Sequence, residues 1–169
     1  ADMCLIVERL EAMPILRRKT AVTVLLPVLN EELNLPAALA SVTWADQVIV
    51  VDSHSTDRTA EIARAAGAEV VQFDYAGSGP KKKGWALRHA PFRNEWVLVL
   101  DADERVTETL REEVEEVIRR GARDGYYIDR EFIFMGRSLR CFRPNWNLRL
   151  FRHRQARMED LQMNDLPGT

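Results

Sequence analysis

The stretch WVLVLDADERV, residues 96–106, runs an apolar segment directly into three carboxylates, Asp101, Asp103 and Glu104, with only Ala102 between the two aspartates. Acids converging on one strand end raise each other's pKa unless a cation or hydrogen-bond donors offset the repulsion. A second apolar run, VIVVD, ends in Asp52. Ligands of open parallel α/β sheets bind in the crevice at the carboxyl ends of the strands, so two acid-tipped strands place charge where a ligand would sit. A hard divalent ion held by one or two carboxylates and by substrate phosphates satisfies such a cluster, which makes Mg2+ or Mn2+ with a diphosphate the natural occupant. The plainer reading is that Asp103 and Glu104 start a loop and that the next helix is capped near Thr107. These residues alone leave both readings open.

Two basic segments could meet an anion at the same edge. GSGPKKKGWAL, residues 77–87, fails the phosphate-loop pattern, because Gly79 and Gly84 have the right spacing but Trp85 stands where lysine belongs. It also lacks the glycine fingerprint of a dinucleotide fold. Its three adjacent lysines can still act as mobile point charges for phosphates, or simply as a solvated loop with Gly84 and Trp85 starting the helix. In PNWNLRLFRHR, residues 144–154, Arg149 and Arg152 could neutralise a leaving diphosphate, a developing anion that needs preorganised donors. An amphipathic strand with its charges in water explains the same spacing. His54, His89 and His153 share no metal-ligand spacing.

The elements that must position these groups alternate between strand and helix. VTVLLP (22–27), QVIVVD (47–52), EVVQF (69–73) and EWVLVLD (95–101) are nearly continuous apolar runs, as strands covered on both faces must be. Between them, NLPAALASV has Asn34 as a cap and Pro36 in the first turn, and STDRTAEIARAAGA runs from a Ser55/Thr56/Asp57 cap to Gly67. ETLREEVEEVIRRG puts Leu110, Val114, Val117 and Ile118 on one stripe, with acids early, arginines late and Gly121 at the stop. The alternation predicts an α/β fold with a mostly parallel central sheet. After Gly125 the pattern weakens, and residues 130–157 hold eight arginines against one acid, Glu131.

With 169 residues, 46% hydrophobic and 30% charged, the chain is sized for one domain. The expected division is an N-terminal extension at 1–20, a domain at 21–157 and an irregular tail at 158–169, with Met13 an alternative native start. A net charge of -2 argues against a nucleic-acid partner. Cys4 and Cys141 are too few and too distant for a disulfide framework or a zinc site, which fits a reducing, cytoplasmic setting. No run approaches the length that spans a bilayer.

The order of the motifs carries more than any one of them: TVLLPVLNEELNL, VIVVDSHSTDRT, PKKKGWAL, WVLVLDADERV and WNLRLFR. This succession, over about residues 21–157, resembles the family-2 glycosyltransferases, and within them the group similar to lipopolysaccharide-core β-glucosyltransferases. The resemblance implies a three-layer nucleotide-diphospho-sugar transferase fold of the A type, an inverting transfer and a divalent metal, Mg2+ or Mn2+. It implies that Pro27, Asn30 and Glu31 lie along the nucleoside, that Asp52 meets the base, usually uracil, and that Lys82 and Lys83 stand on the donor side. Asp101 would face the donor sugar or ribose, and Asp103 would hold the metal on the diphosphate. The implied partners are a UDP-sugar and a saccharide or lipid-linked acceptor. The arginine-rich segment would then give peripheral contact with the inner face of the cell membrane, in envelope biosynthesis.

Gly84 departs from the resemblance, since that group usually has asparagine there. Relatives also continue past ARMED with an acceptor-side segment that carries the catalytic base, so the chain is expected to be C-terminally truncated. An inverting transfer needs a carboxylate to take the acceptor's proton, and Glu159 and Asp160 are the late candidates. Two other readings compete. One is a nucleotide-sugar-binding fragment without turnover. The other is a phosphohydrolase of the haloacid-dehalogenase type, whose D-x-D strand WVLVLDADERV imitates, although that motif belongs on a first strand and here falls on a fourth.

Overall fold

The computed structural model describes residues 18–74, 81–139, 141 and 143–155. The 158–169 tail and nearly all of the 1–20 extension lie outside the described residues. All four expected strands are present: β1 Thr20–Val28, β2 Ala45–Asp52, β3 Glu69–Gln72 and β4 Trp96–Val99. Helices α1 Leu35–Ser41, α2 Thr59–Ala65, α3 Lys82–His89 and α4 Glu108–Arg120 lie between and after them. The chain then forms β5 Gly125–Asp129, a small hairpin of β6 Ile133–Phe134 and β7 Arg137–Ser138, and β8 Trp146–Arg152. The main sheet has the order β3-β2-β1-β4-β8-β5; β1 to β4 are mutually parallel, and β8 runs antiparallel to both β4 and β5.

Alternation along β1 separates two cores, since successive side chains of a strand point to opposite faces. Val22, Val24, Leu26 and Val28 pack on one face with Leu39 of α1, Ala63 of α2 and Val114 of α4. Leu25 packs on the other with Ile49, Val51, Val97, Val99 and Ala86 of α3. The result is the expected three-layer α/β arrangement with a mostly parallel sheet. The stripe read on α4 is correct: Val114 is buried, and Leu110, Val117 and Ile118 pack against the same cluster. Its ends are also as read, with the Thr107 side chain accepting from Leu110 N at 3.2 Å and Gly121 left-handed at φ 61°.

Four local expectations are corrected. Asn34 makes no side-chain cap bond to α1; its amide donates instead to Glu31 Oε2 at 3.0 Å. Helix α2 starts at Thr59, and Asp57 Oδ1 accepts from Thr59 N at 2.9 Å. Helix α3 starts at Lys82 rather than at Gly84, so two of the three lysines belong to a helix and are held by it. The 144–154 stretch does form a strand, but not with all its charges in water, because Arg149 is only 7% exposed.

Candidate functional site

The chain moves outward from β1 through β2 to β3, then returns to the other side of β1 with β4. That reversal opens a crevice between the β1 and β4 ends, the place where doubly wound sheets bind ligands. Proline enforces it. Leu100 N donates to Leu25 O and Ser53 N donates to Val28 O, so in β1 the odd positions direct backbone groups toward β4 and the even ones toward β2. Pro27 therefore lacks its N–H on the β4 side, and the β1–β4 register ends before it, at Leu25↔Val99.

Asp52 ends β2 beside this opening and is 1% exposed. Its Oδ1 accepts from Ser55 N at 3.1 Å and from Ser55 Oγ at 2.5 Å, and its Oδ2 accepts from Gln72 Nε2 at 3.1 Å. Asn30 and His54 flank it with left-handed φ of 54° and 56°. Asparagine tolerates that region, and here its Oδ1 accepts from Thr56 N at 2.8 Å while its own N–H donates to Ser55 Oγ at 2.9 Å. Glu31 N donates to Thr59 Oγ1 at 2.7 Å, which ties the loop after β1 to the start of α2. Lys82 reaches across from α3, its Nζ donating to Val28 O at 2.6 Å. Burial pushes the Lys82 pKa down, and the nearby carboxylates of Asp52 and Glu31 only partly counter it. Pro27, Asn30, Glu31, Asp52 and Lys82 thus occupy one side of the crevice.

Asp101, just beyond β4, answers the repulsion that its sequence raised. Its Oδ1 accepts from Lys83 Nζ at 2.7 Å and its Oδ2 from Arg149 NH2 at 2.7 Å. Burial raises its pKa, but the Arg149 and Lys83 bonds outweigh it and hold the carboxyl at about 2. Two lysines in the first turn of α3 oppose the helix dipole, and Asp101 compensates one of them. Glu104 completes the network. Its Oε2 accepts from Asp101 N at 2.8 Å, and its Oε1 accepts from Arg149 NH2 and Arg130 NH1, both at 3.0 Å. Sequence reading left Glu104 in the loop and missed Arg130. The usable signals were the three-residue spacing from Asp101 to Glu104, which permits a backbone cap, and the lone arginine closing β5. The NH1 of Arg149 is buried and unpartnered among the described residues.

Asp103 differs from both neighbours. It is exposed, and among the described residues its carboxylate takes part in no hydrogen bond or ion pair. No group of three or more candidate metal ligands exists among the described residues. With Asp101 and Glu104 satisfied by cations of the chain itself, Asp103 is the one acid of the trio open to an ion. A single carboxylate completed by phosphate oxygens and waters fits Mg2+ or Mn2+, which keep several waters and share substrate phosphates. Arg149 stands at this edge, whereas Arg152 does not. Strand β8 is antiparallel to β4, so Arg152 pairs with Trp96 at the opposite end of the sheet, bonds Glu95 Oε1 at 2.5 Å and stacks 4.9 Å from the Trp96 ring. Glu159 and Asp160 lie outside the described residues. Beyond Asp101, a cavity of about 810 Å3 opens toward β5 and β8, lined by Asp103, Glu104, Arg130, Trp146 and Arg149 among others.

Residues 23–169 match the family described as Glycosyl transferase family 2. An uncharacterized glycosyltransferase of Rickettsia bellii is 38% identical over 98 residues, which is 57% of this chain and 32% of that protein. The chain thus spans about a third of the length of the curated relatives it matches. The solved structure of Staphylococcus aureus TarS 1-349 superposes with a TM-score of 0.52 at 22% identity, covering 79% of this chain and 47% of its own, a likeness of fold. Glucosyl-3-phosphoglycerate synthase from Mycobacterium tuberculosis, solved with Mn2+, UDP and glucosyl-3-phosphoglycerate, gives 0.43 at 28% identity over 51% of this chain and 36% of its own.

The Asp101 network sets an acid dependence. Its carboxyl is depressed from 3.8 to about 2 in the folded chain, so the stabilisation is complete above the ordinary value and is lost as pH falls through about 2. Urea unfolding should find Asp101→Asn less stable than the parent near neutral pH, with the gap closing between about pH 4 and about pH 2. A gap that stays constant across that window would show that Asp101 is not ionically held.

Proposed function

The chain belongs to glycosyl transferase family 2, and on that premise we propose that it binds a uridine diphosphate sugar in the crevice between β1 and β4 and transfers the sugar with inversion. The observation that carries this reading is the division of charge at the crevice. Asp101 and Glu104 are neutralised by Lys83, Arg130 and Arg149, while Asp103 remains exposed beside them. A diphosphate with its cation supplies what Asp103 lacks. The nucleoside lies over Pro27, Asn30, Glu31 and Asp52, and Lys82 is close enough to the same opening to meet a phosphate. Asp103 would hold the Mg2+ or Mn2+, which when bound neutralises charge that develops on the leaving diphosphate.

In the transfer, an acceptor hydroxyl oxygen forms the new bond to the anomeric carbon as the bond from that carbon to the phosphate oxygen breaks. The diphosphate departs with the electron pair, and the hydroxyl proton passes to a carboxylate base. Arg149 stabilises the departing anion electrostatically from the β8 edge, without leaving Asp101. The saccharide or lipid-linked acceptor enters from the cavity on the β5 and β8 side, where Trp146 offers an exposed aromatic face. A phosphohydrolase of the haloacid-dehalogenase type is disfavoured, because its nucleophilic aspartate would here be Asp101, whose two oxygens already accept from Lys83 and Arg149.

Thermal unfolding of the parent with UDP and Mn2+ should rise by an amount equivalent to about 2.7 kcal/mol when the nucleotide is 100-fold above its Kd. In Asp103→Ala the Mn2+-dependent part of the rise should vanish, with the melting temperature of the free protein unchanged. No shift in the parent, or an undiminished Mn2+ effect in the variant, would remove this assignment.

Peripheral membrane contact has a structural candidate in the β6–β7 hairpin, where Ile133 is 70%, Phe134 64% and Met135 88% exposed. Successive strand residues face opposite ways, so each face of this tip carries one exposed apolar side chain, Ile133 across from Ser138 and Phe134 across from Arg137, with Met135 at the turn. Arg137, paired across from Phe134, would meet anionic headgroups. Vesicles with phosphatidylserine should sediment the parent and release Ile133→Ser/Phe134→Ser; equal sedimentation of both would end the membrane reading.

A further inference from the structure

We propose that Gln72 reads the nucleobase, with Asp52 behind it holding the amide in one orientation. The inference rests on the nucleotide-sugar reading of the site and adds a residue to it. Asp52 and Gln72 are direct register partners at the carboxyl ends of the parallel strands β2 and β3. Their side chains meet, Gln72 Nε2 donating to Asp52 Oδ2 at 3.1 Å. Their exposures differ sharply: Asp52 is 1% exposed, whereas Gln72 is exposed. The surface that a base meets at this point therefore belongs chiefly to the amide.

The carboxylate fixes what that amide can offer. An ionised carboxylate only accepts hydrogen bonds, at about four lone-pair sites. Ser55 N, Ser55 Oγ and Gln72 Nε2 are its donors among the described residues. Flipping the Gln72 amide would bring its carbonyl oxygen against Asp52, an acceptor against an acceptor, so the orientation is set by the partner. One Nε2 hydrogen is used on Asp52. The second hydrogen and Oε1 have no partner among the described residues, which leaves a donor and an acceptor on one planar group. The imide edge of a uracil ring, an N–H beside a carbonyl oxygen, is complementary to that pair. Ser55 thus holds Asp52, Asp52 holds Gln72, and Gln72 touches the base.

Calorimetric titration of the whole chain with UDP and with inorganic pyrophosphate, each with Mn2+, separates a base contact from a phosphate contact. Gln72→Leu should weaken UDP by about fivefold to tenfold, the worth of a hydrogen bond to a neutral partner, and leave pyrophosphate unchanged. Gln72→Glu puts a second carboxylate against Asp52, so one of the two takes a raised pKa. Its UDP affinity should be low near pH 8 and recover in part near about pH 5, where a shared proton relieves the repulsion between the two side chains and leaves an outer carboxyl oxygen to accept from the base, though no donor to it. The parent, which carries the same ionisable groups Lys82, Glu31, His54 and Asp74 around the opening, gives the baseline for that recovery. Parent-like UDP binding by Gln72→Leu, equal weakening of UDP and pyrophosphate, or absence of acid recovery in Gln72→Glu would each overturn the proposal. A parent that binds pyrophosphate but not UDP would instead overturn the nucleotide reading beneath it.

Discussion

The ion pairs of Asp101 hold the crevice together. Its two oxygens take Lys83 from α3 and Arg149 from β8, at 2.7 Å each, and so join a helix packed on one face of the sheet and the strand beside β4 to the end of β4. Neither cation is placed for its own sake. Lys83 sits in a first turn whose dipole disfavours it, and Arg149 is a nearly buried charge that would be costly without a partner. Removing Asp101 would leave Lys83 without its acid and Arg149 with Glu104 alone. The crevice is open because Pro27 cannot donate to β4, and it keeps its shape because Asp101 and Glu104 pin what lies across it.

This arrangement explains how three acids can stand within four residues. Two of them are spent within the protein: Asp101 on Lys83 and Arg149, and Glu104 on Arg130, Arg149 and the Asp101 backbone. The network of Lys83, Arg130 and Arg149 with Asp101 and Glu104 carries a net positive charge, which favours an incoming diphosphate. Asp103 lies beside it as a carboxylate with no partner among the described residues, which favours a divalent cation. On the proposed reading, anion and cation would each be more welcome in the presence of the other, so the site would suit a metal diphosphate better than either component alone.

The sheet was legible because its strands are continuous apolar runs and its helices carry stripes and stops such as Leu110, Val114 and Gly121. The second half was less so. The run after Gly125 pairs with β8, which comes later in the chain, so its pattern depends on a partner that local periodicity does not contain. For the site, Asp52, Asp101 and Asp103 were visible as acids at strand ends. Their different fates were not. Whether a carboxylate is free or neutralised depends on Arg149 and Arg130, which lie 48 and 26 residues away from their respective partners Asp101 and Glu104. Arg152 was misplaced for the same reason: spacing put it near Arg149, and the antiparallel direction of β8 carried it to the far edge. Gln72 gave no signal, since a glutamine ending a strand is ordinary until the carboxylate beside it is known.

The coupling between cation and diphosphate is open to direct measurement by electron paramagnetic resonance, which reads free Mn2+ in solution. Titration of Mn2+ against the protein alone, and against the protein with UDP, should show strong depletion of the free signal only when both protein and nucleotide are present, beyond what UDP binds by itself. Equal depletion by the protein alone would mean a metal site complete without the diphosphate. No depletion beyond that of UDP would mean that Asp103 holds no ion at all, and either outcome would contradict the assignment of Asp103 as the open carboxylate of a metal diphosphate site.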